Sequence, residues 1–220
     1  MINMTMITDR LNKIRMPTPL KWKTAAWITL CVFLAGTVLG IFSKWLDNLE
    51  LDSAIWWHRF FEILDLGNFF SDISIWLLLA LVIAVFSTSP LRAAFHVFAF
   101  FTGLCTSYHI YTIFFSGFNP VSYMMLWYAI TLLSPLPAVL CWYARGTGTV
   151  SIILDTGIFA VLSLSCFSTG WFYVSLKGFL YLLVFIGSVA VLYRKPQQLA
   201  VSLSAGFLLS FLFSPFFPYL

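Results

Sequence analysis

The sequence predicts an all-α, polytopic membrane helix bundle of about seven transmembrane helices with one external amphipathic helix. Three observations predict it. The 220 residues are 61% hydrophobic and 9% charged. Soluble domains carry about 25% charged residues, and a chain this poor in charge could not cover its own surface in water. This excludes a soluble globular protein, a disordered chain and a nucleic-acid binder. Second, the apolar residues fall into separate runs near the roughly 20 residues that cross a hydrocarbon core of about 30 Å. Third, the basic residues collect in alternate connections between those runs.

Residues 1–23 read as a basic cytoplasmic tail carrying Arg10, Lys13, Arg15, Lys21 and Lys23, and residues 24–220 as a single integral membrane domain. Within the tail, Met4–Asp9 reads MTMITD, which resembles the β-galactosidase leader of many cloning vectors and takes no part in the fold reading. The first span is Ala25 to Ser43. No small-x-small cleavage site precedes Lys44, so an uncleaved helix is expected. Gly36 and Gly40 form G-x-x-x-G, a spacing that lets helices pack closely, here within the monomer.

Residues 44–72 form the external segment. Within it, Ser53 to Leu66 has helical periodicity: Trp56, Trp57, Phe60, Ile63 and Leu64 fall on one side, and His58, Glu62 and Asp65 on the other. Asp52 or Ser53 is the expected start cap and Gly67 the end cap. Such a helix suits the water–lipid boundary, or a lid over the bundle.

The second span is about Ile73 to Ser87. The third, Leu91 to Phe115, ends at the turn Gly117-Phe118-Asn119-Pro120. The fourth, Val121 to Ala144, contains Pro135 and Pro137, which remove two amide donors and predict a kink. After Arg145–Thr149 come the fifth span, Val150 to Thr169, and the sixth, Tyr173 to Tyr193. Arg194-Lys195-Pro196 leads into the seventh, Leu199 to Phe213. Trp27, Trp76, Trp127, Trp142 and Trp171 sit near these ends, where interfacial anchoring is expected.

Charge tests the scheme independently. With the N-terminus inside, the inner segments hold Arg10, Lys13, Arg15, Lys21, Lys23, Arg92, Arg145, Arg194 and Lys195, nine of the twelve basic residues. Only Lys44, Arg59 and Lys177 lie outside. That follows the positive-inside rule and puts the C-terminus outside. Ala84-Val85, Pro90 and Ala94 match Ala190-Val191, Pro196 and Ala200 at one constant offset. Spans two–three and six–seven run in the same directions, as in a parallel duplication, although composition bias gives the same few identities.

The third span carries the main candidate site. Thr102, Cys105, Thr106, His109, Thr112 and Ser116 share a band of about 120°. Lipid offers these groups no partner, so they should face a solute cavity or act as interhelical hydrogen-bond glue. His109 near mid-depth favours the cavity. Cys105 and His109 stand at i, i+4, the minimum of a nucleophilic pair, but no orienting group, oxyanion site, G-x-S-x-G or H-E-x-x-H accompanies them. In the fifth span Asp155 falls roughly 8 Å below the inner boundary. It needs a charged partner or a wet cavity there, unless it only decorates the first helical turn. Lys177 belongs to the other leaflet, so a direct pair between the two is not expected. Cys31, Cys105, Cys141 and Cys166 are dispersed in apolar segments, with no zinc spacing and no disulfide framework. No metal and no cofactor are expected.

The run from Ser89 to Gly146, with its S-P-L-R start, its S-G-F-N-P-x-S-Y turn and its W-Y-A-R-G exit, resembles small bacterial multi-pass membrane proteins of unknown function. The resemblance covers about half the chain. It implies a bacterial cytoplasmic (inner) membrane and brings no activity, substrate or catalytic residue. Three function classes follow. The first is a solute- or lipid-binding transport component, with membrane lipid, a small-molecule solute and a partner membrane subunit as partners. The second is a non-catalytic accessory or assembly protein. The third is an intramembrane enzyme using the Cys105/His109 pair.

Overall fold

The computed structural model describes Asp9 and residues 11–52, 54–170 and 173–216. Most of the MTMITD stretch, Arg10, Ser53 and Trp171 lie outside these. The described chain is nearly all helix. In order it runs α1 (Trp22–Asp47), α2 (Trp56–Ile63), α3 (Leu66–Ser71), α4 (Ile73–Phe86), α5 (Pro90–Tyr111), α6 (Val121–Leu133), α7 (Pro135–Ala144) and α8 (Thr149–Cys166). A hairpin of β1 (Phe167–Gly170) and β2 (Tyr173–Leu176) follows, then α9 (Phe179–Leu192) and α10 (Pro196–Phe213). Among the described residues four helices are long and apolar enough to cross a membrane, α1, α5, α8 and α10, and a fifth if α6 and α7 count as one bent span. At 14 residues each, α4 and α9 are about 21 Å long, short for a span.

Local sequence explains the helix ends. The Ser89 hydroxyl of the S-P-L-R start accepts the Arg92 amide at 3.3 Å, and Pro90 takes the first helical position, where a missing N–H costs nothing. α5 widens into a π turn over Thr112–Ser116 and stops at Gly117, whose φ of 72° is left-handed. Pro135 separates α6 from α7 with a 47° bend, the kink expected of the two prolines.

Helix contact is closest between α1 and α5. A Cβ on Gly36 would run into the Phe100 carbonyl oxygen, and one on Gly40 into that of Leu104. The G-x-x-x-G therefore packs inside the monomer. α8 meets α10 in the same manner, with Gly206 against Phe159 and Thr156. The constant offset noticed in the sequence returns in the helix boundaries. Ile73 and Phe179, Phe86 and Leu192, and Pro90 and Pro196 each stand 106 residues apart.

Several expectations need correction. The fifth and sixth spans are not helical to their expected ends: Phe167–Gly170 and Tyr173–Leu176 pair as antiparallel strands, with Phe167 opposite Leu176 and Thr169 opposite Val174. The amphipathic helix is shorter than Ser53–Leu66. Ile55 caps it without a side-chain bond, Asp65 turns the chain with φ 50°, and Gly67 lies within α3 rather than ending a helix. His58 does not face water. It is 7% exposed, and its Nδ1 accepts the Asp52 amide at 2.8 Å. Trp76, Trp127 and Trp142 are buried core residues, whereas Trp27 stays 66% exposed as an anchor would.

Candidate functional site

One small pocket, of about 20 Å³ and so with room for about one water, opens between α1, α3, α4, α5 and α6. Its walls are Phe70, Trp76, Tyr123, Met124 and Trp127, with Cys105 and Tyr108 supplied by α5. The tryptophan at position 76 is fixed by donating its indole N–H to the Phe70 carbonyl at 3.1 Å. The thiol of Cys105 lies 3.3 Å from the Thr131 hydroxyl.

The rim beside this cavity is charged. Tyr108 donates its hydroxyl to Asp47 Oδ2 at 2.6 Å, and Ser71 donates to Asp47 Oδ1 at 2.8 Å. Lys44 Nζ sits 3.6 Å from Asp47 Oδ2, and 5.4 and 5.6 Å from the ring centroids of Tyr108 and Phe118. The lysine is 7% exposed. A buried ammonium needs such a counter-charge and such ring faces. The cluster is hard to see in the sequence, because Lys44 and Asp47 follow the apolar run Ala25 to Ser43 and fall in the external segment.

The other predicted site residues scatter. Thr102 and Thr112 return their hydroxyls to their own helix, at the carbonyls of Phe98 and Tyr108, both at 2.8 Å. Thr106 is exposed. His109 uses both ring nitrogens elsewhere, with Tyr128 Oη and Asn119 Oδ1 each at 2.8 Å. Cys105 and His109 are thus committed to different partners. Among the predicted residues, Cys105 alone lines the cavity.

Asp155 lies at the opposite end of the bundle and is 2% exposed. Arg194 holds it at 2.6 Å, and the same guanidinium donates to Ala144 O at 2.7 Å and to Ser151 Oγ at 2.6 Å. Among the described residues, Asp155 Oδ1 and Arg194 Nε are buried with no hydrogen-bond partner. Lys177 pairs instead with Asp72 at 3.6 Å. Nearby, Arg15 donates to Trp142 O at 2.8 Å and Val85 O at 2.9 Å, and stacks 4.3 Å from the Trp142 ring centroid. It thereby satisfies carbonyls at the C-terminal ends of α4 and α7, where a cation complements the helix dipole. Burial, with Arg145 and Arg194 close by, pulls its pKa below the usual arginine value. The tail is also tied down by backbone: Thr147 N donates to Ile14 O and Thr18 N to Thr88 O, both at 2.8 Å.

Among the described residues no three His, Cys, Asp or Glu side chains gather as a metal site would need. No family model, no curated protein and no solved structure matches the chain.

Proposed function

We propose that the protein is a seven-span membrane protein of the bacterial cytoplasmic membrane that binds a lipid or an apolar solute as a component of a transport system. The cavity at Cys105 carries this reading. Its walls are almost wholly apolar and aromatic, which suits the methyl end of an acyl chain or another small apolar group. The Lys44–Asp47–Tyr108 cluster beside it offers polar groups to a headgroup. The shared boundaries of α4–α5 and α9–α10 support a duplicated architecture of the kind transporters use. Seven spans require α4 and α9 to cross as well, and local thinning of the bilayer accommodates short spans at modest cost. The N-terminus is then inside and the C-terminus outside.

In this arrangement α2 lies on the outer surface. Trp56, Phe60 and Ile63 are 81, 54 and 74% exposed. Apolar side chains turned away from the bundle suit insertion at the lipid boundary better than a lid. The accessory-protein reading draws on the hydroxyls of Thr102 and Thr112, which only serve their own helix. The enzyme reading loses its basis, because Cys105 is bonded to Thr131 and not to His109.

Two outcomes are expected. A reporter fused after Leu220 should be active only outside the cytoplasm, and a cytoplasmic signal would refute the seven-span topology. For the cavity, Cys105 is kept as the single cysteine by Cys31→Ala, Cys141→Ala and Cys166→Ala. Its reaction with a maleimide should slow about tenfold when phospholipid is present at about ten times its Kd. Equal rates with and without lipid would count against the binding reading.

A further inference from the structure

A second lipid contact is written into the other end of the bundle, where α4 and α7 finish. We propose that this end binds the phosphodiester of an anionic phospholipid, with Arg145 as the contact residue. The inference rests on the membrane reading but not on the cavity. Three guanidiniums meet here, and two are already committed. Arg15 is bonded to the carbonyls of Trp142 and Val85, and Arg194 is paired with Asp155. The Arg145 side chain makes no hydrogen bond among the described residues. Its contact is the Phe86 ring, with the guanidinium carbon 4.8 Å from the centroid.

Two features say what occupies it. Phe86 is itself 62% exposed and ends an apolar helix, so the cation above it sits where headgroups meet hydrocarbon. The charge here is also uncompensated. Asp155 is consumed by Arg194, while Arg15, Arg145 and the exposed Lys13 add positive charge. An anion beside Arg145 relieves the repulsion that Arg15 feels. A phosphodiester matches the forked, planar donors of a guanidinium, and its acyl chains would lie along Phe86. Basic pockets at helix ends recognise anionic headgroups by the same physics.

The test is a titration of the purified full chain, in nonionic detergent, with phosphatidylglycerol and separately with phosphatidylcholine, read as the rise in Tm. Phosphatidylglycerol should raise Tm and phosphatidylcholine should not. Arg145→Gln should raise the half-saturating phosphatidylglycerol fraction about fivefold. Arg59→Gln, which removes the same charge from the opposite end, should behave as wild type. Without lipid, Arg145→Gln should melt with wild type, since its guanidinium supports no protein hydrogen bond. Equal effects of the two lipids overturn the proposal, as do equal effects of the two substitutions. A Tm rise of the same size with inorganic phosphate alone would overturn the lipid assignment. A lower lipid-free Tm for Arg145→Gln would make the residue structural and overturn it too.

Discussion

Asp155→Ala should destabilise the protein by about 3 kcal/mol, a fall in Tm of roughly 10 °C. The carboxylate is 2% exposed and lies 2.6 Å from Arg194. Its removal leaves a guanidinium facing a dry site, and the cost is set by that stranded charge more than by the lost bond. The figure sits at the low end of the range for buried pairs because the Arg194 side chain keeps 18% exposure and can recruit water. Arg194→Ala should cost at least as much, since Ala144 O and Ser151 Oγ each also lose one of their two donors. The double substitution should cost less than the sum of the two, because it strands no charge. Thermal melts of the four proteins in one detergent close the cycle. Additive losses would mean that the two charges do not depend on each other.

That pair also marks how far the sequence could be read. Asp155 was legible as a residue needing a partner, since a carboxylate inside a span is costly wherever it points. Its partner was not legible. Arg194 belongs to the charge pattern as one more member of an inner connection, and only the packing of α9 and α10 against α8 brings it down onto the aspartate. The arginines that the sidedness rule counts thus have a second role that the pattern does not reveal: Arg15 and Arg194 satisfy the last carbonyls of α4 and α7.

The same limit explains the hairpin. Hydropathy sees Val150–Thr169 and Tyr173–Tyr193 as two apolar runs, because Phe167, Tyr173, Val174 and Leu176 count as apolar in either structure. The signal that was present is local: an aromatic and β-branched stretch flanking Gly170, which favours strands around a turn. The polar band of α5 was visible by its period, but periodicity places residues on a face and not at a depth. Cys105 reaches the cavity. His109 lies one turn further along, where Tyr128 and Asn119 take its ring nitrogens. Lys44 and Asp47 fall in the external segment when the first span ends at Ser43. The helix runs on to Asp47 and carries both charges against the bundle.

Gly36→Val should be the most damaging single change in α1. A Cβ at Gly36 would collide with the backbone carbonyl of Phe100 and lie 3.2 Å from the Leu104 amide nitrogen. Neither neighbour is a side chain that can rotate away, so α1 must move off α5. Moving the helices apart also opens the contact at Gly40 and at Gly103, whose own Cβ would lie 3.0 Å from the Thr37 amide nitrogen. Overpacking of this kind costs about 1–3 kcal/mol at one site. Three interlocked contacts on one helix pair push Gly36→Val to the upper end of that range, and Gly36→Ala should follow close behind. Gly157→Ala is the internal control. It lies in α8 with nothing within 4 Å of the added carbon. There the gain in helix propensity, about 0.5–1 kcal/mol, acts alone, and Tm should hold or rise. If Gly36→Ala and Gly157→Ala melt together, close packing of α1 on α5 is not what holds the first helix in the bundle.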